Sequence, residues 1–166
     1  MQGDQFACIR IVGRANFTSS IDFKALVNEL IRRGCHCFIL DLSECVLMDS
    51  TFLGVLAGLG LKLSGDQGAQ ATRSITLLNA NARVVELLET LGVLHLFKLE
   101  QGAVGLSPET PCVPQSPSNP EKVEITRTCL EAHQTLMDLN PQNVAKFKDA
   151  TQFLVENLKR LTPPTP

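Results

Sequence analysis

The spacing of apolar residues changes period several times along the first hundred positions, and each change marks an element. Residues 6–12 (FACIRIV) are rich in β formers and predict a strand, which Gly13 ends. Phe23, Leu26, Val27, Leu30 and Ile31 then follow the i, i+3, i+4, i+7, i+8 rhythm of a helix lying on a core. Ser19, with Asp22 three positions on, predicts its N-cap in the manner of a capping box, and Gly34 its stop. Residues 36–42 (HCFILDL) contain the consecutive apolar Phe38, Ile39 and Leu40, which suits a strand covered on both faces. A loop over 43–48 leads to Asp49-Ser50-Thr51 and a helix over about 51–64. A polar loop at 65–72 precedes a strand at 74–78. Asn79 or Asn81 caps a helix carrying Val84, Val85, Leu87, Leu88 and Leu91, closed by Gly92, and residues 94–99 predict a last strand. The order is β-α-β-α-β-α-β, which implies crossover connections and a sheet whose later strands are mostly parallel.

The pattern breaks near residue 105. Residues 105–120 (GLSPETPCVPQSPSNP) hold five prolines and predict a semi-extended linker between an α/β domain at 1–104 and a helical extension at 121–161. In the extension, Val123, Thr126, Leu130, His133 and Met137 form one seam; Val144, Phe147, Thr151, Leu154, Leu158 and Leu161 form another. Asn140-Pro141 divides them, with Asn as cap and Pro as first helical residue. Each helix is short for a free-standing coiled coil, so an antiparallel hairpin is expected, packed either on the α/β domain or on another subunit as a homodimer. Residues 162–166 read as a disordered tail.

Composition adds mainly exclusions. Of 166 residues, 44% are hydrophobic and 19% charged, with no Trp or Tyr, so the core must be built from Leu, Val, Ile and Phe. A net charge of -2, with no basic face, argues against nucleic-acid binding. The polar N-terminus carries no apolar targeting core, and the longest apolar run, 52–61, is too short to span a bilayer. A cytoplasmic protein without direct membrane insertion is the expectation. The six cysteines (Cys8, Cys35, Cys37, Cys45, Cys112 and Cys129) form no CxxC pair and suit free thiols better than disulfides. Cys35-His36-Cys37 is the one arrangement with metal-ligand types, and strand alternation puts its imidazole on the face opposite the sulfurs; neither a metal nor a cofactor is expected.

The most informative stretch is 40–59, LDLSECVLMDSTFLGVLAGL. A buried strand ends at Asp41-Leu42-Ser43, and Asp49, Ser50 and Thr51 stand where a helix begins. A helix start offers unpaired N–H groups and the positive end of the macrodipole, so a phosphate on Ser50 gains charge-assisted hydrogen bonds there without unfolding the helix. The simpler reading of Asp and Ser at this place is capping alone. Further along, Gly54, Gly58 and Gly60 interrupt the apolar helix, for close packing on the sheet or for the tight approach of a partner backbone.

Asp41-Leu42-Ser43 followed by Met48-Asp49-Ser50-Thr51-Phe52-Leu53-Gly54 resembles the STAS family (sulfate transporter and anti-sigma-factor antagonist) in its bacterial antagonist branch. Cys8-Ile9-Arg10-Ile11-Val12-Gly13 looks like the family's early strand and glycine, and Leu91-Gly92-Val93 to Phe97 like its closing segment. The resemblance spans about residues 6–101 and implies an α/β, STAS-like mixed sheet with interleaved helices, here with a C-terminal helical hairpin. It implies no enzyme but a partner-switching protein. Ser50 aligns with the serine phosphorylated by a protein kinase of histidine-kinase-like fold, which is itself the anti-sigma factor. The unphosphorylated antagonist binds that kinase, phosphorylation releases it, and a PP2C-type phosphatase resets it. The implied partner surface is Gly13, Arg14 and Asn16 with Asp49, Ser50, Thr51, Phe52, Leu53 and Gly54.

Three departures qualify this. The family's acidic loop is Gly13-Arg14-Ala15-Asn16 here, Phe52 replaces a usual glycine, and a leading strand is missing, leaving an edge for the C-terminal helices to cover. The alternative function is an accessory STAS subunit of a lipid-transport ABC ATPase complex, without control by phosphorylation. An enzyme with Ser50 as nucleophile is the weakest reading: the chain has no G-x-S-x-G elbow, and none of His36, His95 and His133 stands in a context that marks a paired base.

Overall fold

A computed structural model describes residues 6–64, 74–102 and 119–162. Four parallel strands form the main sheet: β1 (Phe6–Arg10), β3 (Cys37–Asp41), β5 (Ser74–Leu78) and β6 (Lys98–Glu100), in the order β1-β3-β5-β6. In register, Ile9 lies beside Leu40 and Leu40 beside Leu77. Two further strands, β2 (Gly13–Ala15) and β4 (Cys45–Met48), form a separate parallel ribbon. All described strand pairs are parallel, and an antiparallel strand of a mixed sheet is not among them. The helices are α1 (Phe17–Arg32), α2 (Ser50–Ser64), α3 (Ala82–Thr90), α4 (Lys122–Leu139) and α5 (Gln142–Leu161).

The crossover order follows the hydrophobic pattern closely, and the differences have local causes. The first strand stops at Arg10 because Gly13, at φ +80, turns the chain into β2. The expected loop at 43–48 contains β4, whose central Val46 and Leu47 are exposed, so no alternation betrays it. The start of α1 is capped by Asn16 rather than Ser19: Asn16 Oδ1 accepts the N–H groups of Thr18 and Ser19, both at 3.1 Å. Ser19 is instead the reciprocal member of the box, its hydroxyl accepting the Asn16 N–H at 2.9 Å. Asn81, not Asn79, caps α3. The expected last strand begins as a 3₁₀ turn over Leu94–Leu96 and becomes β6 only at Lys98.

The core lies between the sheet and its helices. Phe38, Leu40, Leu53, Leu56, Leu77, Leu88 and Val93 are buried in it, and Ala132 and Leu136 of α4 join the same cluster. The hairpin is present as expected: Pro141 already has helical angles, and Asn140 Oδ1 accepts the Gln142 N–H at 3.1 Å. It packs on the α/β domain, one of the two expected placements, but on its helices and not over a sheet edge: α4 lies along α2 and touches α1, with α5 stacked on α4. Residues 1–5, where a leading strand would fall, most of the linker (103–118) and the last residues of the tail (163–166) lie outside the described residues.

Candidate functional site

Asp49 organises the start of α2. Its Oδ1 accepts the Phe52 N–H at 2.8 Å, and its Oδ2 accepts the Phe17 N–H at 2.7 Å. One carboxylate thereby caps α2 and pins the first residue of α1 beside it. The Asp49 N–H donates to the Ala15 carbonyl at 2.9 Å, which ties the β2–β4 ribbon to the same point. Asp41, at the end of β3, steadies the preceding turn. Burial alone would push its carboxyl up, but hydrogen bonds from Ser43 and the Arg10 guanidinium at 3.3 Å hold it below the ordinary value.

Ser50 is the first residue of α2 and is half-buried. Its hydroxyl does not stand free at the helix tip. It lies 3.0 Å from Nε2 of His133, in the middle of α4. The His133 Nδ1 lies 2.7 Å from the Cys129 carbonyl, which can only accept, so Nδ1 carries the proton and Nε2 receives the serine hydroxyl. Burial pushes the imidazole below its ordinary value, against the Cys129 carbonyl and the Asp49 charge, both of which favour the cation. Phe147 of α5 packs on the ring with centroids 4.8 Å apart. Beside this pair, the Thr51 hydroxyl donates to Cys129 Sγ at 3.6 Å, and burial pushes that thiol up.

One turn on, the helices meet backbone to backbone. A Cβ on Gly54 would lie 2.5 Å from the Ala132 carbonyl oxygen and 2.7 Å from the Ala132 Cβ. Gly58 faces Thr135 of the same helix, whereas Gly60 faces Leu96 and Phe97. Gly54 and Gly58 therefore serve approach by α4 rather than packing on the sheet.

The expected partner residues divide into two groups. Gly13, Arg14, Asn16, Asp49 and Ser50 are half-buried or exposed and lie around the ribbon and the start of α2. Thr51, Phe52, Leu53 and Gly54 are buried and offer no surface while α4 is in place. Phe52 in particular is a core residue, 1% exposed, its ring 4.9 Å from that of Phe23. In their stead, Val12, Phe17, Val46 and Leu47 are exposed apolar residues around the ribbon.

No sequence context marks a histidine paired with Ser50, yet the fold brings His133 of the hairpin seam to it. A lone imidazole inside an apolar helical seam must find a partner, and that was the available signal. A serine on a histidine is the opening geometry of a nucleophile. Here, however, the Asp49 carboxylate already takes the Phe52 N–H at the helix start, where donors for a developing oxyanion would be needed. The pair reads as a hydrogen-bonded contact between helices. Cys35 Sγ donates to the Cys37 carbonyl at 3.4 Å, and among the described residues no three His, Cys, Asp or Glu side chains cluster as metal ligands. No helix among them is long and apolar enough to cross a membrane.

The model of the STAS domain family matches residues 2–103, more than half of the chain. No curated protein matches. Among solved structures, the chain is similar to the anti-sigma factor antagonist SpoIIAA in its unphosphorylated form, at 17% identity and a TM-score of 0.48, covering 63% of this chain and 86% of that one.

Proposed function

Since the chain belongs to the STAS family, we propose that it is a non-enzymatic protein-binding switch of the anti-sigma-factor-antagonist kind, in which phosphorylation of Ser50 ends binding. The observation that carries this reading is the placing of Ser50. It is the first residue of α2, next to the capping Asp49 and close to the exposed ribbon. A phosphoryl group there adds about two negative charges beside Asp49, enough to repel an acidic or apolar partner surface. The partner surface in this reading is Gly13, Arg14, Asn16, Asp49 and Ser50, widened by Val12, Phe17, Val46 and Leu47. Exposed apolar residues next to polar ones suit a protein partner. That partner is a cytoplasmic kinase of histidine-kinase-like fold, with a PP2C-type phosphatase reversing the modification.

The second reading, an accessory subunit of a lipid-transport ATPase complex, draws on the Ser50–His133 contact, because a serine engaged between helices needs no phosphate to have a role. The test incubates the full chain and a Ser50→Ala variant with kinase-like partners and ATP, and reads phosphate by mass spectrometry. Label on Ser50, absent from the variant, is the expected result. No label, with stable ATPase association indifferent to Ser50→Ala, would replace the first reading by the second.

A further inference from the structure

Resting on the reading of Ser50 as the modified residue, we infer that the α4–α5 hairpin is a built-in cover of that site, and that its docking and a phosphoryl group on Ser50 exclude each other. Docked, the hairpin occupies the Ser50 hydroxyl with His133 at 3.0 Å and lays the Ala132 backbone against Gly54. A phosphoryl group puts a phosphorus and three oxygens where Nε2 now sits. It also brings a dianion to a contact holding the Asp49 carboxylate, a neutral imidazole and the Phe147 ring. A kinase thus reaches Ser50 only when the hairpin is off, and the phosphate then keeps it off.

The interface is not uniform along its length. Around Ser50 its α2 side presents Ser50, Thr51, Gly54 and Gly58, which are small or polar, whereas Leu136, one turn nearer the hairpin's turn than Ala132, carries apolar area into the core. Between α1, α2 and α4 an open cleft of about 240 Å³ remains, with the Lys24–Glu131 ion pair, 3.2 Å, on its rim. The hairpin is held more firmly at its far end. Asn143, fully buried, donates to the carbonyls of Leu91 at 2.9 Å and Leu136 at 2.8 Å, Asn140 abuts Gly92, and Lys146 reaches the Thr90 carbonyl at 3.0 Å. A hairpin fixed at its turn and held over Ser50 by small and polar groups opens by swinging about that turn.

The test needs no kinase, so failure to find one leaves it intact. Phosphoserine is installed at position 50 of the full chain by genetic code expansion, and amide hydrogen exchange is read by mass spectrometry against the unmodified protein. An Ala132→Leu variant, which crowds Gly54 from the hairpin side, is the mechanical counterpart. In both, exchange across residues 122–139 is expected to rise ~10-fold or more while β3 and β5 keep their protection. Two results overturn the inference. One is phosphoserine protein with α4 protected as before, meaning that His133 takes a proton and clamps the phosphate. The other is α4 exchange as fast in the unmodified protein as in Ala132→Leu, meaning that no docked cover exists in solution.

Discussion

The two long faces of α2 are made of different material. Toward the core and α1 it sets Phe52, Leu53, Leu56, Leu59 and Leu63, all buried. Toward α4 it sets Ser50, Thr51, Gly54 and Gly58, which are small or polar and meet their neighbours through a hydroxyl, a thiol and a backbone. The first face holds by apolar area and is permanent on the scale of domain stability. Near Ser50 the second holds by a few directed contacts, each worth about 1 kcal/mol, with the apolar burial of Leu136 added further along α4, so its Ser50 end is the part a chain can cover and uncover. One helix thus serves as the keystone of the core and as a site whose access the rest of the chain controls.

The contrast predicts that damage to the two faces spreads differently. Leu56→Ala, at a fully buried position, should cost about 2–5 kcal/mol and lower the midpoint of the entire domain in chemical denaturation. A loss confined to the hairpin, with the sheet transition unmoved, would show that the core-facing side is no keystone.

Asn143→Ala should come next, at about 1–3 kcal/mol. It removes two N–H donors from buried carbonyls; that of Leu136 keeps the Asn140 N–H at 3.2 Å, while that of Leu91 loses its side-chain donor. Its effect should stay in the hairpin, seen as faster hydrogen exchange in α4 and α5 with β3 and β5 unchanged. Equal loosening of the sheet would mean that hairpin and domain fold as one cooperative unit.

How far this arrangement was legible in the sequence differs between the faces. The core-facing side declares itself by apolar spacing, and the helix boundaries follow from Asn140-Pro141 and from Asp49. The spacing to Asp22 points to Ser19 as the cap of α1, but Asn16 and Ser19 are both good caps, and only the backbone angles of Asn16 decide between them. The ribbon strand β4 escaped because, in so short a strand with one neighbour, Val46 and Leu47 both remain exposed. The docking of α4 is non-local: Ser50 and His133 are 83 positions apart, and no periodicity records that they meet. Gly54 and Gly58, one turn apart, did announce a close backbone approach, but not whose backbone it would be.

The smallest expected effect is a pH slope on the α4 contact, and its sign follows from His133. Its imidazole is held below the ordinary value of 6.5 when docked, so the docked state prefers the neutral ring. Above 6.5 the ring is neutral whether docked or free, and the contact contributes in full. As the pH falls through 6.5, the undocked ring takes up a proton before the docked one, and docking weakens until the docked ring titrates as well. The charged neighbour, Asp49, limits the slope by favouring the cation in place, while the Cys129 thiol, raised by burial, stays protonated throughout. Hydrogen exchange in α4, corrected for intrinsic rates, should therefore show less protection at about pH 5.5 than at about pH 8, and His133→Gln should flatten the difference. A slope unchanged by His133→Gln would place the titrating group elsewhere. A slope of opposite sign would mean that Asp49 and the Cys129 carbonyl outweigh burial, and that the docked contact between α2 and α4 is made by the imidazolium.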